Sequence, residues 1–171
     1  MKVLIGRHPK WMPKKKKYDI KRKIVVKVDS FDLWGLDSTL AYIIEPALKA
    51  FIKQGIRGAA MVDVEDVPRE LRFNSIAEKK AWDEEGKTDK NFFKRWEWVL
   101  KEMHWAFKQI NSDGEDKFYG KSKKKVVISK SGKKGNTFEF PDWDKKGLEE
   151  YRARIKNGLR LFGKYYQGLW D

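Results

Sequence analysis

The 171-residue chain contains no cysteine and only two histidines, His8 and His104. Without thiols there is no disulfide framework, no thiolate metal site and no cysteine nucleophile, which points to a reducing compartment. His8 sits in a stretch broken by Gly6, Pro9 and Pro13, so a two-histidine metal site or a Ser-His-Asp set has little to build on. No apolar run reaches the roughly 18 residues of a membrane span. The opening MKVLIGRHPKWMPKKKKYD also lacks the uninterrupted apolar segment of a signal peptide. These absences predict a soluble intracellular protein that is not an enzyme, has no cofactor or metal and does not engage a membrane.

What is present suffices for a folded body: at this length, 40% hydrophobic residues can form a core, and a single domain over residues 1–171 is expected. The formal net charge of +14 is unevenly placed. Residues 1–28 carry a net +10 and residues 117–134 a net +8, which leaves −4 for the remainder. The body is therefore mildly acidic, and the lysines belong to two embellishments, a loop at 10–23 and a hairpin at 117–134. Such runs serve solubility and edge protection, or they meet nucleic acid.

The fold class read from the pattern is α+β, with three main helices packed together and small strands at the amino terminus and before the last helix. Lys2–Ile5 and residues 23–28 are β-rich. A first helix is expected over 38–54, kinked near Pro46. Residues 59–64 read as extended, Pro68 opens a short helical turn, and 75–82 is a weaker helical stretch. In the second main helix, from a Thr88 or Asp89 cap to about Asn111, Phe92, Trp96, Val99, Met103, Phe107 and Ile110 form one apolar stripe. Trp98 and Trp105 lie on another face, which predicts burial from two sides. Residues 126–128 and 137–140 flank a glycine-containing turn and predict a hairpin. The last helix follows Pro141, capped by Asp142 or Asp144, with Leu148, Tyr151, Ile155, Leu159, Phe162, Tyr166 and Leu169 as its apolar stripe.

The chemistry-bearing pattern is the mixture of aromatics with Arg and Lys on the two long helices. Guanidinium forks match phosphate oxygens, and indole and phenol faces stack on nucleobases. Asn157, Arg160 and Lys164 share one face of the last helix. Antiparallel docking on the preceding long helix brings Arg95 and Lys101 towards them, with Trp98, His104 or Tyr165 as a flat wall. These eight residues form the candidate ligand-binding set. The competing reading makes the aromatics core and the arginines their paired, stacked edge. Asp63, Glu65 and Asp66 form the tight acidic cluster, read either as oxygen donors to a magnesium ion or as a helix cap. Gly158, Gly163 and Gly168 each cost a helix about 1 kcal/mol relative to Ala, which predicts close approach of a backbone or a ligand at one or two of them.

Four blocks carry a resemblance: residues 34–41 (WGLDSTLA), 62–72 (VDVEDVPRELR), 93–107 (FKRWEWVLKEMHWAF) and 154–166 (RIKNGLRLFGKYY). Together they resemble a widespread family of small, largely uncharacterised tailed-bacteriophage proteins. Gly35-Leu36 stands where Ser-Met is expected, and both lysine-rich segments lie outside the blocks. The resemblance implies a phage product acting in the cytoplasm of an infected bacterium. By analogy with small phage proteins of that class, the expected function is sequestration of a small anionic nucleotide immune signal, which blunts host defence. The alternatives are a nucleic-acid-associated protein acting through the lysine segments and an inhibitor of a host protein. Self-association is compatible with each.

Overall fold

The apolar stepping from Phe92 to Ile110 becomes the centre of the structure. The computed structural model describes residues 1–5, 24–55, 58–121, 123–128, 131–139 and 143–170. Its elements in order are β1 (Lys2–Ile5), β2 (Ile24–Lys27), α1 (Leu36–Gln54), α2 (Ile76–Glu85), α3 (Phe92–Ile110), β3 (Lys123–Ile128), β4 (Lys134–Glu139) and α4 (Lys145–Tyr165). Two compact units result, Met1–Leu40 and Ala41–Asp171. The lysine-rich loop at 10–23 and His8 lie outside the described residues.

In the first unit β1 and β2 pair antiparallel, with Lys2 opposite Lys27 and Ile5 opposite Ile24. A 3-10 turn over Ser30–Leu33 follows, closed by a capping box. Asp29 accepts from the Phe31 backbone N–H, and Asp32 accepts from that of Asp29.

The second unit is built on α3. Trp96, Val99, Leu100, Met103 and Ala106 have no exposed surface, and the buried set also includes Arg95 and Glu102. Burial on more than one face follows the two-sided pattern of the sequence. Each fully buried large apolar side chain contributes about 1.5–3 kcal/mol. Ala41 and Leu48 of α1, Val62 and Val67 of the following segment, and Leu161 and Tyr165 of α4 complete this core.

The α4 face differs from the expected stripe. Its buried positions are Leu148, Tyr151, Gly158, Leu161 and Tyr165, whereas Leu159 and Tyr166 are exposed. Gly158 sets the rotation. A Cβ there would press on the Ala106 methyl and lie 2.7 Å from the Glu102 carbonyl oxygen, so α4 approaches α3 through a residue without a side chain. Gly168 serves a second close approach, at Ala60. Gly163 has nothing within 4 Å of an added Cβ among the described residues.

Four α-helices rather than three occupy the described residues. The additional one, α2, has little apolar pattern and is held at its ends. Ser75 accepts from the Glu78 backbone N–H, Glu78 accepts from the Asn74 backbone N–H, and Gly86 closes the helix at φ 63°. Residues 59–63 join no strand ladder and lead into a 3-10 turn at Val64–Asp66. Val62 and Val67 enter the core while Asp63 and Asp66 turn to α4. Among the described residues no helix is long and apolar enough to cross a membrane.

Candidate functional site

Half of the sequence-predicted set comes together. Asn157, Arg160, Lys164 and Tyr165 meet on one side of α4, and what they surround is a carboxylate. Asp66 accepts from Tyr165 Oη at 2.7 Å and from Lys164 Nζ at 2.6 Å, and pairs with Arg160 at 2.8 Å. Lys164 also reaches Asp63 at 2.5 Å, and the Asp63 backbone N–H donates to Tyr165 Oη at 2.9 Å. The Arg160 guanidinium additionally donates to Asn157 Oδ1. Asp63 and Asp66 of the acidic cluster that could have held a metal are thus engaged by cations. No group of three or more His, Asp or Glu side chains is disposed to hold a metal ion among the described residues.

The other half is dispersed. Arg95 is buried and forks onto Asp89, at 2.9 and 2.6 Å, while donating to the Leu71 carbonyl at 3.1 Å. Its guanidinium lies 5.3 Å from the Phe73 ring centroid and 5.7 Å from that of Trp82. Lys101 pairs with Glu97 one turn earlier on the exposed side of α3. His104 Nε2 lies 2.8 Å from Glu45 Oε1 of α1, and Trp98 is a half-buried flank of the core. Arg95 and Lys101 therefore do not converge with Arg160 and Lys164. A cleft of about 340 Å³ does lie beside Lys164, lined by Asp63, Asp66, Phe73 and Trp82 among others. Carboxylates outnumber cations along it, so its chemistry does not favour an anion.

Electrostatics in the Asp66 cluster follow from this geometry. Burial works against the Asp66 carboxylate, but hydrogen bonds from Lys164, Tyr165 and Arg160 outweigh it and hold its pKa below the ordinary value. Its contribution to stability is present above about pH 4 and falls away as acid protonates it. Burial, reinforced by the hydrogen bond to Asp66, pushes the Tyr165 phenol up to about 12. Lys164 is raised as well, chiefly by hydrogen bonds to Asp63 and Asp66.

The unfolded chain ionises its tyrosines near pH 10, whereas folded Tyr165 stays neutral to about 12. The stability it contributes is complete below about pH 10 and is lost as pH rises through 12. Tyr165 should ionise late in an ultraviolet phenolate titration of the folded protein. Tyr165→Phe should abolish that late step; a parent protein without one contradicts the assignment.

The second basic element carries its surplus outside this cluster. β3 and β4 pair antiparallel, with Lys123 opposite Glu139 and Ile128 opposite Lys134. The base of the hairpin is tied to the body at two points. Arg152 forks onto Glu115 at 2.8 and 2.6 Å, and the Asp144 backbone N–H donates to the Phe118 carbonyl at 2.8 Å. Lys117 lies over the Phe118 and Tyr151 rings, at 4.8 and 5.1 Å from their centroids.

Three groups that matter here were absent from the predicted set. Asp89, which the sequence offers as a cap, holds the Arg95 fork, and Glu102 accepts a fork from Arg154 at 2.9 and 2.6 Å while Arg154 stacks 4.0 Å from the Trp105 centroid. Trp143, immediately before the Asp144 cap, stacks on Tyr119. No protein-family model, curated protein or solved structure matches the chain.

Proposed function

We propose that this protein is a non-enzymatic nucleic-acid-binding protein, a tailed-bacteriophage product acting in the cytoplasm of the infected cell, which engages phosphates through the lysine-rich segment 117–134. One contrast supports the reading. The cations predicted for a ligand face on α3 and α4 are paired with carboxylates, whereas residues 117–134 contain eight lysines and no acid. A mildly acidic body bearing strongly basic segments directs a polyanion to them, and the hairpin is the one that lies largely within the described residues.

Counterion release provides the test. Affinity for a thymidine dodecamer should fall steeply between low and moderate salt, with about 0.7 units of log–log slope per phosphate neutralised. Replacing Lys123, Lys124, Lys125, Lys133 and Lys134 with Gln should flatten that slope and leave the urea unfolding midpoint nearly unchanged. Retention of the full slope by the variant contradicts the proposal.

Sequestration of a small nucleotide messenger is the second reading, favoured by the convergence of Arg160 and Lys164 on one carboxylate. A phosphate could take the place of Asp66 there, at the cost of displacing it from Tyr165.

A further inference from the structure

Beside Tyr119 and Trp143 lies an open cleft of about 600 Å³, lined by these two residues with Asp116 and Gly120. The two rings stack at 6.1 Å between centroids and 24° between planes. Trp143 is 45% exposed. Lys145 Nζ sits 4.8 Å from its centroid. Neither ring is loosely held. The Asp144 backbone N–H bonds the Phe118 carbonyl, Arg152 donates to Tyr119 Oη at 3.4 Å, and Gly147 packs so closely on Phe118 that a Cβ would lie 2.8 Å from its ring. Gly120 adopts the left-handed conformation at φ 61°.

Topology joins this cleft to the basic hairpin. The chain leaves Tyr119 and Gly120 to enter β3 at Lys123, and returns from β4 at Glu139 to Trp143. The two walls of the cleft are therefore the two ends of the lysine hairpin. A strand whose phosphates follow the lysines passes the aromatic walls.

We infer that the Tyr119–Trp143 cleft is a base-stacking subsite for single-stranded nucleic acid, an inference that rests on the reading of segment 117–134 as the phosphate contact. The chemistry within the cleft selects a base over a phosphate. Its surface is mainly aromatic, and its one ionisable side chain besides Tyr119, Asp116, repels phosphate while accepting from an exocyclic amine or ring N–H. Stacking on exposed aromatic faces is available to every unpaired base and denied to bases already stacked in a duplex.

The test uses the full chain, first unsubstituted and then with Trp143 replaced. A thymidine dodecamer is compared with an abasic strand of equal length, which keeps every phosphate and removes every base, and with the corresponding duplex. The thymidine strand should bind about 10-fold more tightly than the abasic strand, on the scale of one or two stacked bases. Trp143→Ala should erase that difference while leaving abasic affinity within about twofold, and Trp143→Phe should restore much of it. Equal affinity of the parent for thymidine and abasic strands overturns the base subsite while sparing the lysine contact. Failure of both strands to bind with salt dependence overturns the lysine contact and the subsite together.

Discussion

Trp96→Ala should cost about 3–5 kcal/mol of unfolding free energy, close to the upper range for removing a fully buried aromatic. Trp96 has no exposed surface and meets Tyr165 edge-on at 6.2 Å between centroids. It fills the space that lets Gly168 approach Ala60, its ring lying 3.6 Å from where a Gly168 Cβ would stand. α3, α4 and the segment after α1 thus share one side chain, and its loss opens a cavity none of them can close alone. The indole Nε1 has no hydrogen-bond partner among the described residues, so Trp96→Phe should cost much less, because only volume is lost. Urea unfolding of both variants measures this. A loss below about 1 kcal/mol for Trp96→Ala would contradict its central place.

Asp89→Ala should be comparably damaging, at about 3–5 kcal/mol, because it strands a buried guanidinium. The side chains of Arg95 and Asp89 are 1% and 3% exposed. Arg95 also anchors Leu71 through its carbonyl, and Asn91 holds the Glu70 and Arg72 carbonyls at 3.4 Å each. The pair therefore pins the segment between α1 and α2 to the start of α3. It is not perfectly satisfied, since Arg95 Nε lacks a partner among the described residues. Replacing both residues with apolar ones of similar volume should recover much of the loss. Equal destabilisation by the single and double replacements would show that the pair is not the source of the effect.

The helical body was legible where periodicity alone decides. The α3 stripe depends only on spacing within one element, and the Trp98 and Trp105 positions correctly implied packing on further faces. The α4 face was not legible in that way. Counting apolar residues favoured Leu159 and Tyr166, but the inter-helix contact is centred on Gly158, which contributes by lacking a side chain. The carboxylate partners of the ligand face were not legible for a related reason. Arginine beside tryptophan suits a bound nucleotide and suits a self-satisfied protein surface equally, and the deciding carboxylates are remote in sequence. Asp66 lies 98 residues from Lys164, and Glu102 lies 52 from Arg154. No local pattern announces such partners. The Tyr119–Trp143 cleft was within reach, because an antiparallel hairpin must bring its two ends together. Tyr119 and Trp143 stand just outside β3 and β4.

The most direct test of the account asks where the anion goes. Fluorescence anisotropy of a labelled thymidine dodecamer should be measured, at one fixed moderate salt, against the parent, against the variant with Gln at 123, 124, 125, 133 and 134, and against Arg160→Ala. Binding through segment 117–134 predicts at least a 10-fold loss for the lysine variant, on the scale of several lost phosphate contacts, and a change within about twofold for Arg160→Ala. The reverse pattern, binding abolished by Arg160→Ala in a cooperatively folded protein and retained by the lysine variant, would return the site to the face of α4.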